Sequence, residues 1–290
     1  MSGRIRRWRA TALLLAALPA VATVAAGCRL SGGPGADAQP TRSINLRQAP
    51  PGNEISPKAP FAGSPAAGYR DGADGIRPPA AKAMAGFTAA QVRAHLKTVK
   101  RAMILANLDT QVWTGARPRT LFELLEPRYG RRAEAERAFR RPTRKNNPLH
   151  YATRFDPAKA VVHGPVVKVH GRMTVRGVKP GMLRVRTNYL YVYAIRRLVP
   201  PVGQVQRVIV RRTIDYEFYD PARFQVTPGK VYMQRYGYSY AGADCDDSGG
   251  LLRPEFTTAT DGATIPTGAP VDPYDLDRNR PHGCHDVTRT

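Results

Sequence analysis

Four ionisable side chains stand where proton-transfer chemistry could use them: Asp215 and Glu217 in the run Ile214-Asp215-Tyr216-Glu217-Phe218, and His163 and His170 earlier in the chain. A carboxylate or imidazole walled in by apolar groups has its proton affinity drawn towards neutrality and can serve as a general base. In an extended segment, however, alternate side chains point to opposite faces. Asp215 and Glu217 therefore fall opposite Ile214, Tyr216 and Phe218, where pairing with Arg211 or Arg212 is the expected use. No G-x-S-x-G, H-E-x-x-H, P-loop or G-x-G-x-x-G sequence occurs. Catalysis is not expected.

Two tail segments carry metal-type side chains. His282-Gly283-Cys284-His285-Asp286 holds zinc-type donors without a second ligand pair. Asp275, Asp277, Asn279 and Asp286 have the spacing of calcium-loop positions, but Arg280 stands where the sharp turn needs glycine. Neither pattern is complete, and no cofactor is expected.

Charge is the stronger signal. The chain of 290 residues has 45 Lys+Arg against 22 Asp+Glu, a formal net charge of +23. Between Gly86 and Ala241 the counts are 30 and 9. Lys168, Arg172 and Arg176 share one face of a predicted strand. Arg184 and Arg186 lie opposite the Leu183 face of the next, and Arg207 and Arg211 lie opposite the Val208 face of a third. If these faces coincide, they form an anion-binding surface suited to lipid headgroups or an anionic envelope polymer. The competing expectation is a solvated arginine face that reflects an Arg-, Pro- and Gly-rich composition. Tyr189, Tyr191, Tyr193, Tyr236, Tyr238 and Tyr240 repeat at strand spacing and read as core residues before they read as a ligand pocket. No nucleic-acid-binding motif is present.

The N-terminus has the order of an export signal. Arg4, Arg6, Arg7 and Arg9 precede an uncharged stretch from Ala10 to Ala26 that contains Leu13, Leu14, Leu15 and Leu18. That stretch is shorter than the roughly 20 residues a spanning helix needs, and Pro19 interrupts it. The segment ends in Ala25-Ala26-Gly27-Cys28, which resembles the lipobox of bacterial lipoproteins. The resemblance implies a diacylglyceryl group on the Cys28 thiol, cleavage just before it, and usually acylation of the new amine. Two or three such chains, at about 0.8 kcal/mol per buried CH₂, hold a protein on a membrane where one would not. Cysteine counting agrees: with Cys28 lipidated, Cys245 and Cys284 remain as an even pair suited to a disulfide. Simple secretion would leave an odd thiol.

Residues 1–27 are thus read as a signal peptide and 28–85 as a lipidated cysteine with a disordered Pro/Gly/Ala-rich linker. Such a coil reaches about 40 Å. At Phe87 the pattern becomes helical. Thr88 with Gln91 is a capping box, and Val92, Leu96, Val99, Met103 and Ala106 recur on one face. Thr120 with Glu123 predicts a second, short helix stopped by Pro127, and residues 131–140 a third. The period then switches to two: four strands, carrying Val167–Val175, Leu183–Ile195, Val208–Phe218 and Tyr232–Tyr240, are joined by short turns. Helices before strands, with no crossover segments, predict an α+β domain over 86–242, its helices packed on a four-stranded antiparallel meander. The element order resembles the NTF2-like (cystatin-like) cone, an architecture that hosts enzymes and binding modules alike. Residues 243–290 read as an irregular acidic tail stapled by the Cys245–Cys284 bond, a loop of about 40 residues worth about 4 kcal/mol.

Together these readings predict an exported protein, lipid-anchored on the outer face of the bacterial cytoplasmic membrane, with a basic module that acts by binding. A small enzyme of the cone-shaped fold and a structural subunit of an envelope assembly are the alternatives.

Overall fold

The computed structural model describes residues 55–256, 271–278 and 290. The signal segment, Cys28, the first part of the linker and Cys284 lie outside the described residues. A five-stranded antiparallel sheet dominates: β1 (Arg70–Asp71), β2 (Ala160–Lys179), β3 (Met182–Arg197), β4 (Val205–Tyr219) and β5 (Tyr232–Ala241), in that spatial order. Four helices precede the long strands: α1 (Ala89–Asn107), α2 (Thr110–Trp113), α3 (Arg119–Leu124) and α4 (Arg131–Arg140).

The α+β class and the meander are as expected, and the local chemistry explains why. The Thr88 hydroxyl accepts from the Gln91 amide at 3.2 Å while Gln91 Oε1 accepts from the Thr88 amide at 2.8 Å, so two otherwise orphaned donors are satisfied at the start of α1. Val92, Leu96, Val99, Met103 and Ala106 then bury their stripe against Leu183, Val185, Tyr191, Tyr193, Val210, Tyr216 and the rest of one sheet face. The second capping signature is not used. Helix α3 starts two residues earlier, after Pro118, without a side-chain cap, and Thr120 lies inside it. The one-turn α2, capped by the Asp109 carboxylate accepting from the Gln111 amide at 2.9 Å, was too short to give a periodic signal.

Two differences change the architecture. The sheet has a fifth strand, and residues 55–85, read as linker, contribute it. Arg70 and Asp71 pair with Val169 and Lys168 of β2. Gly75 packs so close to β2 that a Cβ there would lie 2.6 Å from Val169. Ile76 enters the main core and Phe61 and Ala66 enter a second one. That second core occupies the sheet face away from the helices. Leu190, Val192, Ala194, Val205, Ile209 and Ala241 lie there beneath Phe61, Ala66 and Tyr274. The sign of it was present in β3, where Tyr189 to Ile195 is apolar at every position. Continuous apolarity means burial on both faces, whereas alternation means burial on one. Residues 55–85 give no periodic signal in the sequence because their few apolar residues sit in turns and one-turn helices.

The candidate anion-binding cleft

The basic residues predicted on the sheet are brought to one face, and nearly all of them are occupied. Lys168 Nζ lies 2.7 Å from Asp71 Oδ1. Arg172 meets Asp277 of the tail at 2.5 Å. Arg184 and Arg186 face Glu217 and Asp215 directly across the β3–β4 register, at 2.5 Å and 2.8 Å. Arg207 donates to the carbonyls of Pro60 (2.7 Å), Ala62 (2.6 Å) and Thr290. Arg211 donates to Asn188 Oδ1 (2.9 Å), to the Leu276 carbonyl (2.7 Å) and to the Arg278 carbonyl (2.9 Å). Arg176 alone of the seven is exposed without an ion pair among the described residues. These cations pin residues 55–75 and 271–278 over the outer core.

The four proton-transfer candidates do not converge. Asp215 and Glu217 are 3% and 1% exposed, on the face away from the helices, and held by arginines, with the Tyr219 hydroxyl also donating to Glu217. His163 Nε2 contacts the Pro57 carbonyl at 2.9 Å. His170 stacks on Tyr69 with centroids 4.5 Å apart. Cys245 is disulfide-bonded; Cys284, its expected partner, lies outside the described residues, as do Asn279 and the His282–Asp286 segment. Asp275 accepts from the amides of Asp277 (2.8 Å) and Arg278 (3.1 Å), closing a turn. Among the described residues no group of His, Cys, Asp and Glu is arranged to hold a metal ion, and no helix is long and apolar enough to cross a membrane.

The expected pairing of Asp215 and Glu217 with Arg211 or Arg212 does not occur: Arg186 and Arg184 hold the carboxylates, and Arg212, one position out of phase with them along β4, faces the helix-side interior. Arg212 occupies an inward position of β4 between Val210 and Ile214 and is 3% exposed. It donates to Asn107 Oδ1, to the Leu149 carbonyl at 2.8 Å and to Thr153 Oγ1 at 3.2 Å. The end of α1 and the segment before β2 are thereby tied to the sheet. Burial lowers its pKa, opposed by the surrounding phenols of Tyr193, Tyr191, Tyr216 and Tyr238. Burial and the nearby Arg212 charge also push His150 down from 6.5 to about 4.

Uncommitted positive charge lies in the helical layer. Residues 117–145 hold ten Lys or Arg against four Glu. There, Arg117, Arg119, Phe122, Glu123, Arg132, Glu136 and Arg140 line a cleft of about 320 Å³. Arg132, Glu136 and Arg140 project from one face of α4 at successive four-residue steps. Glu136 bridges the other two, at 2.9 Å and 3.6 Å. Arg117, before α3, and Arg119, at its first position, reach in from the opposite wall; both are exposed and neither has an ion pair among the described residues. The buried Phe122 ring closes the floor and meets Phe139 edge-on at 5.3 Å. The sequence offered one sign of this site, the strongly basic α4. Its partner arginines come from a loop and a helix end, and only packing brings them together.

A scan against protein-family models, a search of curated proteins and a search of solved structures each found no match.

Proposed function

We propose that this chain is an exported lipoprotein, held on the outer face of the cytoplasmic membrane through acyl groups on Cys28, whose basic domain binds an anionic component of the envelope. Lipid headgroups and a phosphate-bearing polymer have the matching chemistry. The observation that carries the binding role is the contrast between the occupied sheet arginines and a cleft in which Arg117 and Arg119 stand exposed without an ion pair among the described residues, opposite Arg132 and Arg140, which share the single carboxylate of Glu136. An exposed guanidinium attracts an anion only weakly in water, and salt screens it within about 8 Å. Several converging on one concavity add their fields and offer bidentate donors to phosphate or carboxylate oxygens. Within this reading, the helices-then-meander order is a cone-like scaffold of the NTF2 kind whose interior is filled by Tyr191, Tyr193, Tyr216 and Arg212, so that binding falls to the surface.

The test uses the full chain carrying Cys28→Ala and long-chain polyphosphate, which has no apolar part. Arg117→Glu with Arg119→Glu lowers affinity by about tenfold or more, the factor that 1.4 kcal/mol represents, and Arg172→Glu changes it little. Equal affinities for the cleft variant and the parent chain overturn the binding role. The anchor has its own readout. Lipid labelling of the wild type and its loss in Cys28→Ala support it, and a processed wild-type chain whose Cys28 carries no lipid removes it.

A further inference from the structure

The turn between β3 and β4 runs Leu198-Val199-Pro200-Pro201-Val202-Gly203, five consecutive apolar residues at the far end of the two longest paired strands after β2. Its base is closed by backbone bonds from the Leu198 amide to the Lys159 carbonyl at 2.9 Å, from the Gly203 amide to the Arg197 carbonyl at 3.1 Å, and from the Arg197 amide to the Gln204 carbonyl at 2.9 Å. The tip therefore has its ends held while its side chains face outwards. Leu198, Val199 and Val202 are 37%, 36% and 63% exposed, and they make up three of the five large exposed hydrophobics among the described residues. The other two are isolated, and the Tyr129 hydroxyl donates to the Gln225 carbonyl at 2.9 Å. Single exposed apolar residues are ordinary on soluble surfaces; a cluster with two prolines at one hairpin end calls for a partner.

The charges behind the tip specify that partner. Residues 196–208 contain three arginines and no carboxylate. Lys159 and Arg196 are exposed and have no ion pair among the described residues. Arg197 is braced with its guanidinium over the Phe256 ring at 5.7 Å. Aliphatic groups ahead of a cationic collar match the layering of an anionic bilayer, acyl region first and phosphate headgroups above it.

We propose that the β3–β4 tip is a membrane-contact element that inserts Leu198, Val199 and Val202 among the headgroups of an anionic bilayer while Lys159 and Arg196 bind the phosphates. This contact involves neither the acyl groups of Cys28 nor the cleft between α3 and α4, so it stands or falls separately from both. Penetration is shallow, about 5–10 Å, because the turn is short and charged residues, Arg196 and Arg197, follow directly behind it.

The test places a reporter in the tip of the full chain carrying Cys28→Ala, so that vesicle binding cannot come from acyl groups. Val202→Trp is compared with the parent chain on vesicles of phosphatidylglycerol and phosphatidylcholine, with and without brominated acyl chains. The additional tryptophan emission is expected to shift to shorter wavelength and to be quenched by bromine on the anionic vesicles. Adding Leu198→Asp and Val199→Asp abolishes the quenching, and Lys159→Glu with Arg196→Glu weakens vesicle binding by about tenfold. These side chains are exposed, so the thermal midpoints of the variants match the parent. A vesicle-bound protein whose added tryptophan stays unquenched overturns the proposal, as does absence of binding. Equal quenching on pure phosphatidylcholine overturns the role of the collar.

Discussion

The arginines of the sheet and those of the helical layer are chemically the same group with opposite fates. On β3 and β4 the antiparallel register sets Arg184 opposite Glu217 and Arg186 opposite Asp215, and the flanking segments supply carbonyls to Arg207 and Arg211. Across a strand pair the distance between opposed side chains is set by the backbone, so complementary charges meet without further ordering. In α3, α4 and the loops around them only Glu123, Glu126, Glu134 and Glu136 face ten cations, and arginines such as Arg117 remain open. Positive charge thus works as internal fastening in one region and as an accessible field in the other. Net charge alone does not separate these uses.

The largest effect expected on the fastening side is at Arg212. Arg212→Ala leaves an arginine-sized void and orphans the Leu149 carbonyl, and should cost about 4 kcal/mol in denaturant unfolding. A loss below about 1 kcal/mol would mean that the interior relaxes around the change. Arg184→Ala comes next, at about 3 kcal/mol, because it strands the carboxylate of Glu217 in a buried site. Arg186 sharpens the point: with its side chain 54% exposed, a double-mutant cycle with Asp215 should give a coupling of about 1 kcal/mol or less.

The pH dependence separates the regions further. His150 takes up its proton at about 4 in the folded state, well below the 6.5 of the unfolded chain. Between those values the unfolded chain binds more protons, so stability falls as pH drops through that window. The stability of His150→Phe should fall less steeply over the same range, by up to about 3 kcal/mol at pH 4. Parallel curves for the two chains would exclude the assignment. The smallest effect is on the open side. Arg117→Ala and Arg119→Ala should each move stability by less than about 0.5 kcal/mol while lowering polyphosphate affinity, a separation that no sheet arginine should reproduce.

Much of the fold was legible wherever one face of an element is buried and the other wet. The Thr88–Gln91 box, the stripe of α1, the bounds of α4 and the inward sets of β3 and β4 follow from periods of 3.6 and 2. Legibility failed where both faces are covered or where no period exists. Val192 and Ala194 belong to the second core, on the face that a period of two assigns to solvent once the alternate tyrosines are placed inward. Phe61, Ala66 and Ile76 lie in turns, and β1 is two residues long. The candidate site was half legible: the strand cations do share one face, but the carboxylates and carbonyls that occupy them come from other strands and segments.

By itself the amino-acid sequence determined the class of the domain, the succession of helices before an antiparallel meander and the excess of positive charge. These follow from local spacing and composition, which tertiary contacts do not alter. Only the tertiary structure decided which cations are consumed and which stay open, that residues 55–76 belong to the folded unit, and that an arginine sits within the core. Each of these depends on which groups distant in sequence meet: the oxygen atoms that arrive within about 3 Å of a guanidinium, and the strand edge and apolar face of the sheet that receive residues 55–76.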